Sequence, residues 1–158
     1  MSLESVKEAL QKYNAEDRIM IFPESSATVE LAAKDIGCEP KQICKTMSLD
    51  VEGRTVIIAM AGDARIDNHK YKAYFHKKAK MLKGDEVMER TGHMIGGVCP
   101  FGLKEGCEVY LDESMKRFDC VYPACGSYNS AIKVSLEEME RFSNSAQWID
   151  VTTYSEQS

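Results

Sequence analysis

Between Thr91 and Gly102 the chain reads Thr-Gly-His-Met-Ile-Gly-Gly-Val-Cys-Pro-Phe-Gly, four glycines and a proline within eleven positions. Glycine lets a second backbone or a ligand come close. Successive N–H groups in such a loop form a concavity suited to an anion or to the oxyanion of acyl transfer. Neither G-x-G-x-x-G nor the phosphate-loop lysine pattern is present, which excludes nucleotide cradling in those forms. A second polar run, Ala124-Cys125-Gly126-Ser127-Tyr128-Asn129, separates two strand-like stretches and by itself reads as a hairpin turn. The third unusual residue is Lys45, in an otherwise apolar strand. Alternation sets Ile43, Lys45 and Met47 on one face and Cys44 and Thr46 on the other. A lysine so placed either snorkels to the rim or reaches into a cleft, and the residues leave both open.

Other chemistries find little support. There is no G-x-S-x-G elbow, and His69, His76 and His93 fall in no recognisable dyad. Cys99, beside loop N–H groups, invites a nucleophile reading, but the sequence places no histidine to activate it. His93 reads as a loop or surface histidine rather than a general base. The six cysteines contain no C-x-x-C pair and no histidine partner at zinc spacing, so no metal is expected and the thiols read as reduced. Redox work through Cys99 or Cys125 lacks a resolving cysteine at short spacing.

Strands and helices must hold these residues in place. Strands are expected at 18–22, 43–51, 54–61, 108–111, 120–123, 130–134 and 148–151, with Glu52-Gly53 closing a hairpin. Ser2 can cap a first helix bearing the apolar stripe Leu3, Val6, Leu10 and Tyr13. Thr28 caps a second that Gly37 closes. Asp67 caps 68–77, Asp85 caps 86–91, and Ser135 with Glu138 makes a capping box for 136–142. Helices inserted among strands and consecutive hairpins indicate an α+β fold. It is expected as one domain, 1–158, with a mixed, mostly antiparallel, barrel-like sheet and surrounding helices.

Composition agrees with a single soluble domain: 158 residues, 44% hydrophobic and 28% charged. The longest apolar run, 56–61, is far below the ~20 residues of a membrane span. No basic region followed by an apolar run opens the chain, so no signal peptide is visible and a cytoplasmic location is expected. The net charge of −5 disfavours nucleic acid at first sight. Yet from Asp63 to Lys83 seven cations face two anions, a local +5 able to meet phosphates.

Six pieces occur together and in order: Thr28-Val29-x-x-Ala32-Ala33, Ile43-Cys44-Lys45-Thr46, Gly62-Asp63-x-Arg65-x-Asp67, Thr91-Gly92 running into Gly96-Gly97-Val98-Cys99-Pro100-Phe101-Gly102, Tyr110-Leu111-Asp112-Glu113-Ser114, and Gly126-Ser127 before Ala131-Ile132-Lys133-Val134. Over residues 22–151 this resembles the YbaK/ProX-type aminoacyl-tRNA deacylases, related to the editing insertion of bacterial prolyl-tRNA synthetases. The resemblance implies hydrolysis, in trans, of the ester joining a wrong small amino acid (Cys, Ala or similar) to tRNA, with tRNA for proline as the carrier. It implies no cofactor, no metal and no dedicated base, with attack by water or a substrate group.

For the site, the resemblance implies a catalytic set of Lys45, Gly96, Gly97, Val98 and Cys99. Lys45 positions the nucleotide end, and the N–H groups of Gly97, Val98 and Cys99 meet the developing oxyanion. Phe22, Thr28, Thr46, Pro100, Phe101, Gly126, Ser127 and Asn129 are expected to bind substrate, Gly126 and Ser127 as the opposing wall. Tyr128 and Asn129 depart from the arginine-containing turn of many relatives, which bears on the amino acid chosen. Arg65, Lys70, Lys77, Lys78 and Lys80 are expected to touch tRNA. The partners implied are the tRNA acceptor end and a prolyl-tRNA synthetase, the protein being a monomer or weak dimer. The competing reading is a module that holds tRNA ends or a synthetase without turnover.

Overall fold

The computed structural model describes residues 2–22, 28–95, 97–145 and 147–154. Helix α1 (Ser2–Gln11) buries Val6 and Leu10 on the expected stripe, and Ser2 lies within its first turn instead of capping it. A 3-10 turn (Glu16–Arg18) leads into strand β1 (Met20–Ile21). Helix α2 (Val29–Ile36) begins where the Thr28 hydroxyl accepts the Leu31 N–H at 3.1 Å, and it stops at Gly37. Strands β2 (Ile43–Val51) and β3 (Arg54–Ala61) form a hairpin whose corner, Glu52-Gly53, has positive φ at both positions, as a two-residue turn of this twist requires.

Strand β4 (Arg65–Ile66) precedes helix α3 (Asn68–Phe75), which Asp67 caps and His76 ends. Helix α4 (Asp85–Thr91) has Gly84 at its cap position, so Asp85 sits one place inside. Then follow β5 (Glu108–Asp112), β6 (Cys120–Pro123), β7 (Ser130–Ala131), β8 (Val134–Ser135), helix α5 (Leu136–Ser143), β9 (Trp148–Ile149) and β10 (Thr152–Thr153). Helix α5 carries the expected capping box, Ser135 with Glu138.

Two expected strands are divided, each for a non-local reason. The stretch 130–134 breaks because the Ile132 N–H donates to the Pro123 carbonyl at 3.0 Å. Its halves then pair separately, β7 with β1 and β8 with β6. The stretch 148–151 breaks at Asp112, a fully buried carboxylate that accepts the Val151 N–H (2.9 Å) and the Thr152 hydroxyl (2.7 Å). Strand β9 stays on β5 while β10 leaves to pair with β4.

The main sheet has the order β8-β6-β2-β3-β5-β9 and curls into an open half-barrel. It is mixed: β2–β3 and β6–β8 are antiparallel, whereas β2–β6, β3–β5 and β5–β9 are parallel. Antiparallel pairing dominates through the long β2–β3 ladder and the two small satellite pairs. Residues 56–61 of β3 are wholly buried and form the centre of the core, with Leu10, Tyr71, Leu111, Met115 and Met139 packed around them. Past the end of β6, the segment 80–82 takes the free edge of β2. The Asp50 N–H donates to the Lys80 carbonyl (2.9 Å) and the Leu82 N–H to the Ser48 carbonyl (3.0 Å). Among the described residues, no helix is long and apolar enough to cross a membrane.

Candidate functional site

Where β2 is covered on one side by α2 and on the other by the 93–101 loop, a cavity of about 280 Å³ opens. Lys45 and Thr46 of β2 lie in it, with Val29, Ala32 and Ile36 from α2 and Ile95 and Val98 from the loop. Tyr128, Ser130 and Ala131 close another side, and Met81 closes the end where the 80–82 segment meets β2. Most of this lining is apolar, so the cavity is matched to a small, largely apolar group with a polar end.

Lys45 reaches inward. Its ammonium donates to the Ala64 carbonyl, and burial lowers its pKa from the ordinary lysine value, with the charges of Asp63 and Glu30 acting against that shift. Asp63 is itself gripped by the Arg117 guanidinium at 2.5 and 3.0 Å, so it holds the Lys45 end of the cavity in place. The Thr46 hydroxyl oxygen is buried with no nitrogen or oxygen partner among the described residues, its neighbour being the Cys44 thiol.

The loop is built from both ends. The Thr91 hydroxyl donates to the Val87 carbonyl (2.6 Å) and accepts the His93 N–H (3.0 Å). The His93 ring nitrogen Nε2 donates to the Phe101 carbonyl at 2.7 Å. Gly97 backs directly onto the next turn. A Cβ there would stand 2.6 Å from the carbonyl carbon and oxygen of Gly126 and 2.7 Å from the Ser127 nitrogen. Gly126 and Ser127 therefore stand behind Gly97, not across the cavity from it. The Gly97 N–H donates to the Met94 carbonyl at 3.0 Å, which engages one of the three expected oxyanion donors. The N–H of Val98, a residue that lines the cavity, makes no hydrogen bond to any described residue.

Cys99 points away from the cavity. It is fully buried, its thiol donates to the Phe101 carbonyl at 3.5 Å, and Nε2 of His93 lies 3.7 Å from Sγ. Burial pushes the thiol up to about 12, against hydrogen bonding from the Phe101 and Gly126 backbones. His93, expected as a loop or surface histidine, lies in the loop but is fully buried, and burial lowers its pKa. Pro100 and Phe101 are buried behind the loop, Phe101 against Phe142 with ring centroids 6.3 Å apart. Gly96 lies outside the described residues.

The 124–130 turn is held by its own polar groups. The Ser127 hydroxyl lies 2.9 Å from both Asn129 Oδ1 and Ser130 Oγ, and Ser130 Oγ accepts the Cys125 N–H at 3.1 Å. The Asn129 amide donates to the Phe22 carbonyl (2.9 Å), and the Phe22 N–H donates to the Asn129 carbonyl (2.8 Å). Ser127, Asn129 and Phe22 thus fix the turn that presents Tyr128 and Ser130 to the cavity.

Of the expected site, Thr28, Lys45, Thr46 and Val98 converge on one cavity, while Phe22, Gly97, Cys99, Pro100, Phe101, Gly126, Ser127 and Asn129 form its supporting layer. The sequence reading missed Ile36, Met81, Ile95, Tyr122 and Ser130, which arrive from separate elements. Only the apolar stripe of α2 carried a local signal for its part.

Among the expected RNA contacts, Arg65, Lys77, Lys78 and Lys80 are exposed. Lys70 is an internal tie, donating to Asp150 (3.1 Å) and to the Thr152 carbonyl (2.8 Å). The lysine-rich segment runs straight into Met81 at the cavity. Among the described residues, no three His, Cys, Asp or Glu side chains gather to hold a metal ion.

Comparison with known proteins places this arrangement. Over 152 residues the chain is 52% identical to the uncharacterised protein YwhH of Bacillus subtilis, covering 96% of this chain and 97% of that one. It is 28% identical over 135 residues to EbsC of Enterococcus faecalis, described as a candidate Cys-tRNA(Pro)/Cys-tRNA(Cys) deacylase, covering 84% and 81% of the two chains. A crystal structure of a candidate trans-editing enzyme for prolyl-tRNA synthetase superposes with a TM-score of 0.87 at 26% identity, covering 96% and 97%. The family model for the aminoacyl-tRNA editing domain matches residues 23–142, and the chain belongs to that family.

Proposed function

We propose that this protein is a trans-acting editing hydrolase that cleaves the ester of a mischarged small amino acid, cysteine or alanine in kind, from tRNA for proline. The observation that carries the reading is the placement of Lys45 and Val98 in one small cavity, a half-buried cation and an unengaged backbone N–H. The aminoacyl group enters among the apolar residues of α2 and the loop. The Lys45 ammonium meets the polar end of the terminal nucleotide, and the Val98 N–H meets the oxygen that gains charge as water or the vicinal ribose hydroxyl attacks.

The chemistry asks for little more. An aminoacyl ester is already activated, and one preorganised oxyanion donor contributes ~10²–10³ in rate. Orientation of the attacking oxygen adds to it. The name of EbsC supports the substrate class, and the trans-editing structure supports action on a separate synthetase's product.

The test is a panel of Cys-, Ala-, Ser- and Thr-tRNA for proline, incubated with the parent protein and with Lys45→Ala. Release from at least one small-residue ester, reduced ~10²-fold or more by Lys45→Ala, is the expected outcome. No release above background from any of them would leave a tRNA-end or synthetase-binding module as the reading instead.

A further inference from the structure

We infer that His93 is a positioning residue: a buried, neutral imidazole that clasps the two ends of the 93–101 loop and thereby sets the Val98 N–H at the cavity. The inference rests on the reading of that N–H as the oxyanion donor.

The clasp is visible in the bonds at the loop's base. On the entering side, the His93 N–H is held by the Thr91 hydroxyl (3.0 Å), which is fixed to the Val87 carbonyl of α4 (2.6 Å). On the leaving side, Nε2 of the same residue donates to the Phe101 carbonyl (2.7 Å), eight positions along. The Lys104 N–H to the Thr91 carbonyl (3.1 Å) closes the next layer out. One side chain therefore bridges the loop just below the positions that form the cavity wall, Ile95 and Val98.

The choice of histidine is otherwise hard to account for. The ring is fully buried, and its second nitrogen, Nδ1, has no hydrogen-bond partner among the described residues. A buried acceptor left unsatisfied weakens folding, and such groups call for a reason. A phenylalanine would fill the same space without that penalty, but it could not donate to the Phe101 carbonyl. The Nε2–H tautomer is fixed by that acceptor, and burial keeps the ring neutral by lowering its pKa.

The same geometry explains why the ring does not act as a base. The ring is fully buried and is not among the residues that line the cavity, so neither its engaged Nε2–H nor the lone pair on Nδ1 reaches a substrate there. Its work is to hold, through the backbone, the residue that touches substrate. Gly97 then seats on the Gly126–Ser127 peptide and transmits that register to Val98.

The test compares His93→Phe, which keeps bulk and loses the donor, with His93→Gln, whose amide can restore a donor near Nε2. Single-turnover deacylation, KM for tRNA and the hydrogen exchange of the Val98 amide are measured in each, with melting temperature as control. A displacement near 1 Å costs ~10²-fold in rate, so His93→Phe should lose ~10–100-fold in kcat at unchanged KM. His93→Gln should recover most of that loss, and Val98 exchange should be faster in Phe and parent-like in Gln. Thr91→Val, which cuts the other arm, should lose kcat in the same way; it serves if His93→Phe does not fold. Parent-like kcat in both His93→Phe and Thr91→Val, or equal losses in the Phe and Gln variants, would overturn the inference. If the parent itself releases no amino acid, the hydrolase reading fails separately, and Val98 exchange alone decides whether the clasp exists.

Discussion

Gly97→Ala is the sharpest single perturbation of this site. Its φ does not demand glycine; the space does. The added Cβ would lie 2.6 Å from the carbonyl carbon and oxygen of Gly126 and 2.7 Å from the Ser127 nitrogen, against an ordinary separation of ~3.5–4.0 Å. All three atoms are backbone, so no flexible side-chain end can yield, and the two segments must part by ~1 Å. Overpacking of this kind costs ~1–3 kcal/mol. For a chain of 158 residues, at ~2–4 °C per kcal/mol, the melting temperature should fall by ~2–12 °C. The displacement passes to Val98, the next residue, where ~1 Å of misplacement costs ~10²-fold in rate. Calorimetry and single-turnover release from a mischarged tRNA, run well below both melting temperatures, read the two effects separately. Gly106→Ala is the control: φ is +92° with open space around it, on a different groove. It should lose ~1–2 kcal/mol from the left-handed backbone alone and keep the parent rate. If Gly97→Ala melts and reacts like the parent, the two backbones do not touch. If it loses stability but keeps its rate, their packing does not set the reacting loop.

Reversing Lys77 and Lys78 to glutamate should raise KM for tRNA and flatten the dependence of log KM on log salt by ~0.7–0.9 for each phosphate no longer neutralised; unchanged values would make them a solvated face. Hydrogen bonding from the Arg18 guanidinium at 2.7 and 2.9 Å, aided by the Ser135 N–H, holds the Glu138 carboxyl down from 4.5 to about 2. A depressed carboxyl stabilises the fold fully above its unfolded pKa, and that contribution is lost as pH falls from about 4.5 through 2. Urea midpoints of the parent and Glu138→Gln should therefore differ at pH 6 and converge toward pH 2, and a gap constant with pH would refute the assignment.

What could be read from the sequence was what local physics decides. The Thr28 cap, the Glu52-Gly53 corner and the Ser135–Glu138 box each stand where residue type alone required them. The divided strands could not be read, because their breaks are made by partners far along the chain: Pro123 for Ile132, and Asp112 for Val151 and Thr152. The Tyr110-to-Ser114 motif turns out to carry structure. Asp112 gathers three donors, counting the Ser114 N–H at 2.9 Å, while the Ser114 hydroxyl oxygen accepts the Ala61 N–H at 3.0 Å. Lys45 and Val98 were legible as residues of one cavity, because a lysine in an apolar strand and a glycine-rich loop are unusual patterns. Met81, Ile95 and Ser130 were not, since an isolated apolar or small residue gives no sign of the cavity it will face. The burial of His93 was not legible for a related reason: its neighbours Gly92 and Met94 suggest a loop, and only the Phe101 carbonyl across that loop shows what the ring is buried against.

The buried thiol and imidazole behind the loop also bear on how the site avoids competing chemistry. Burial pushes the Cys99 thiol up to about 12 and so keeps it protonated, a poor nucleophile. His93 is fully buried, its Nε2 proton engaged by the Phe101 carbonyl, and it is not among the residues that line the cavity. Neither group then offers a covalent or general-base route, and each can be dispensed with chemically while remaining fixed in space. That fits a reaction whose ester is already activated and whose attacking oxygen comes from water or the ribose. Geometry supplies what such a reaction lacks, and geometry is what this pair maintains: the thiol and the ring both donate to the Phe101 carbonyl, and the ring ties the loop's two ends together. On this account Cys99→Ser keeps the single-turnover rate, because a hydroxyl can make the same backbone hydrogen bonds, whereas removing the ring's donor does not.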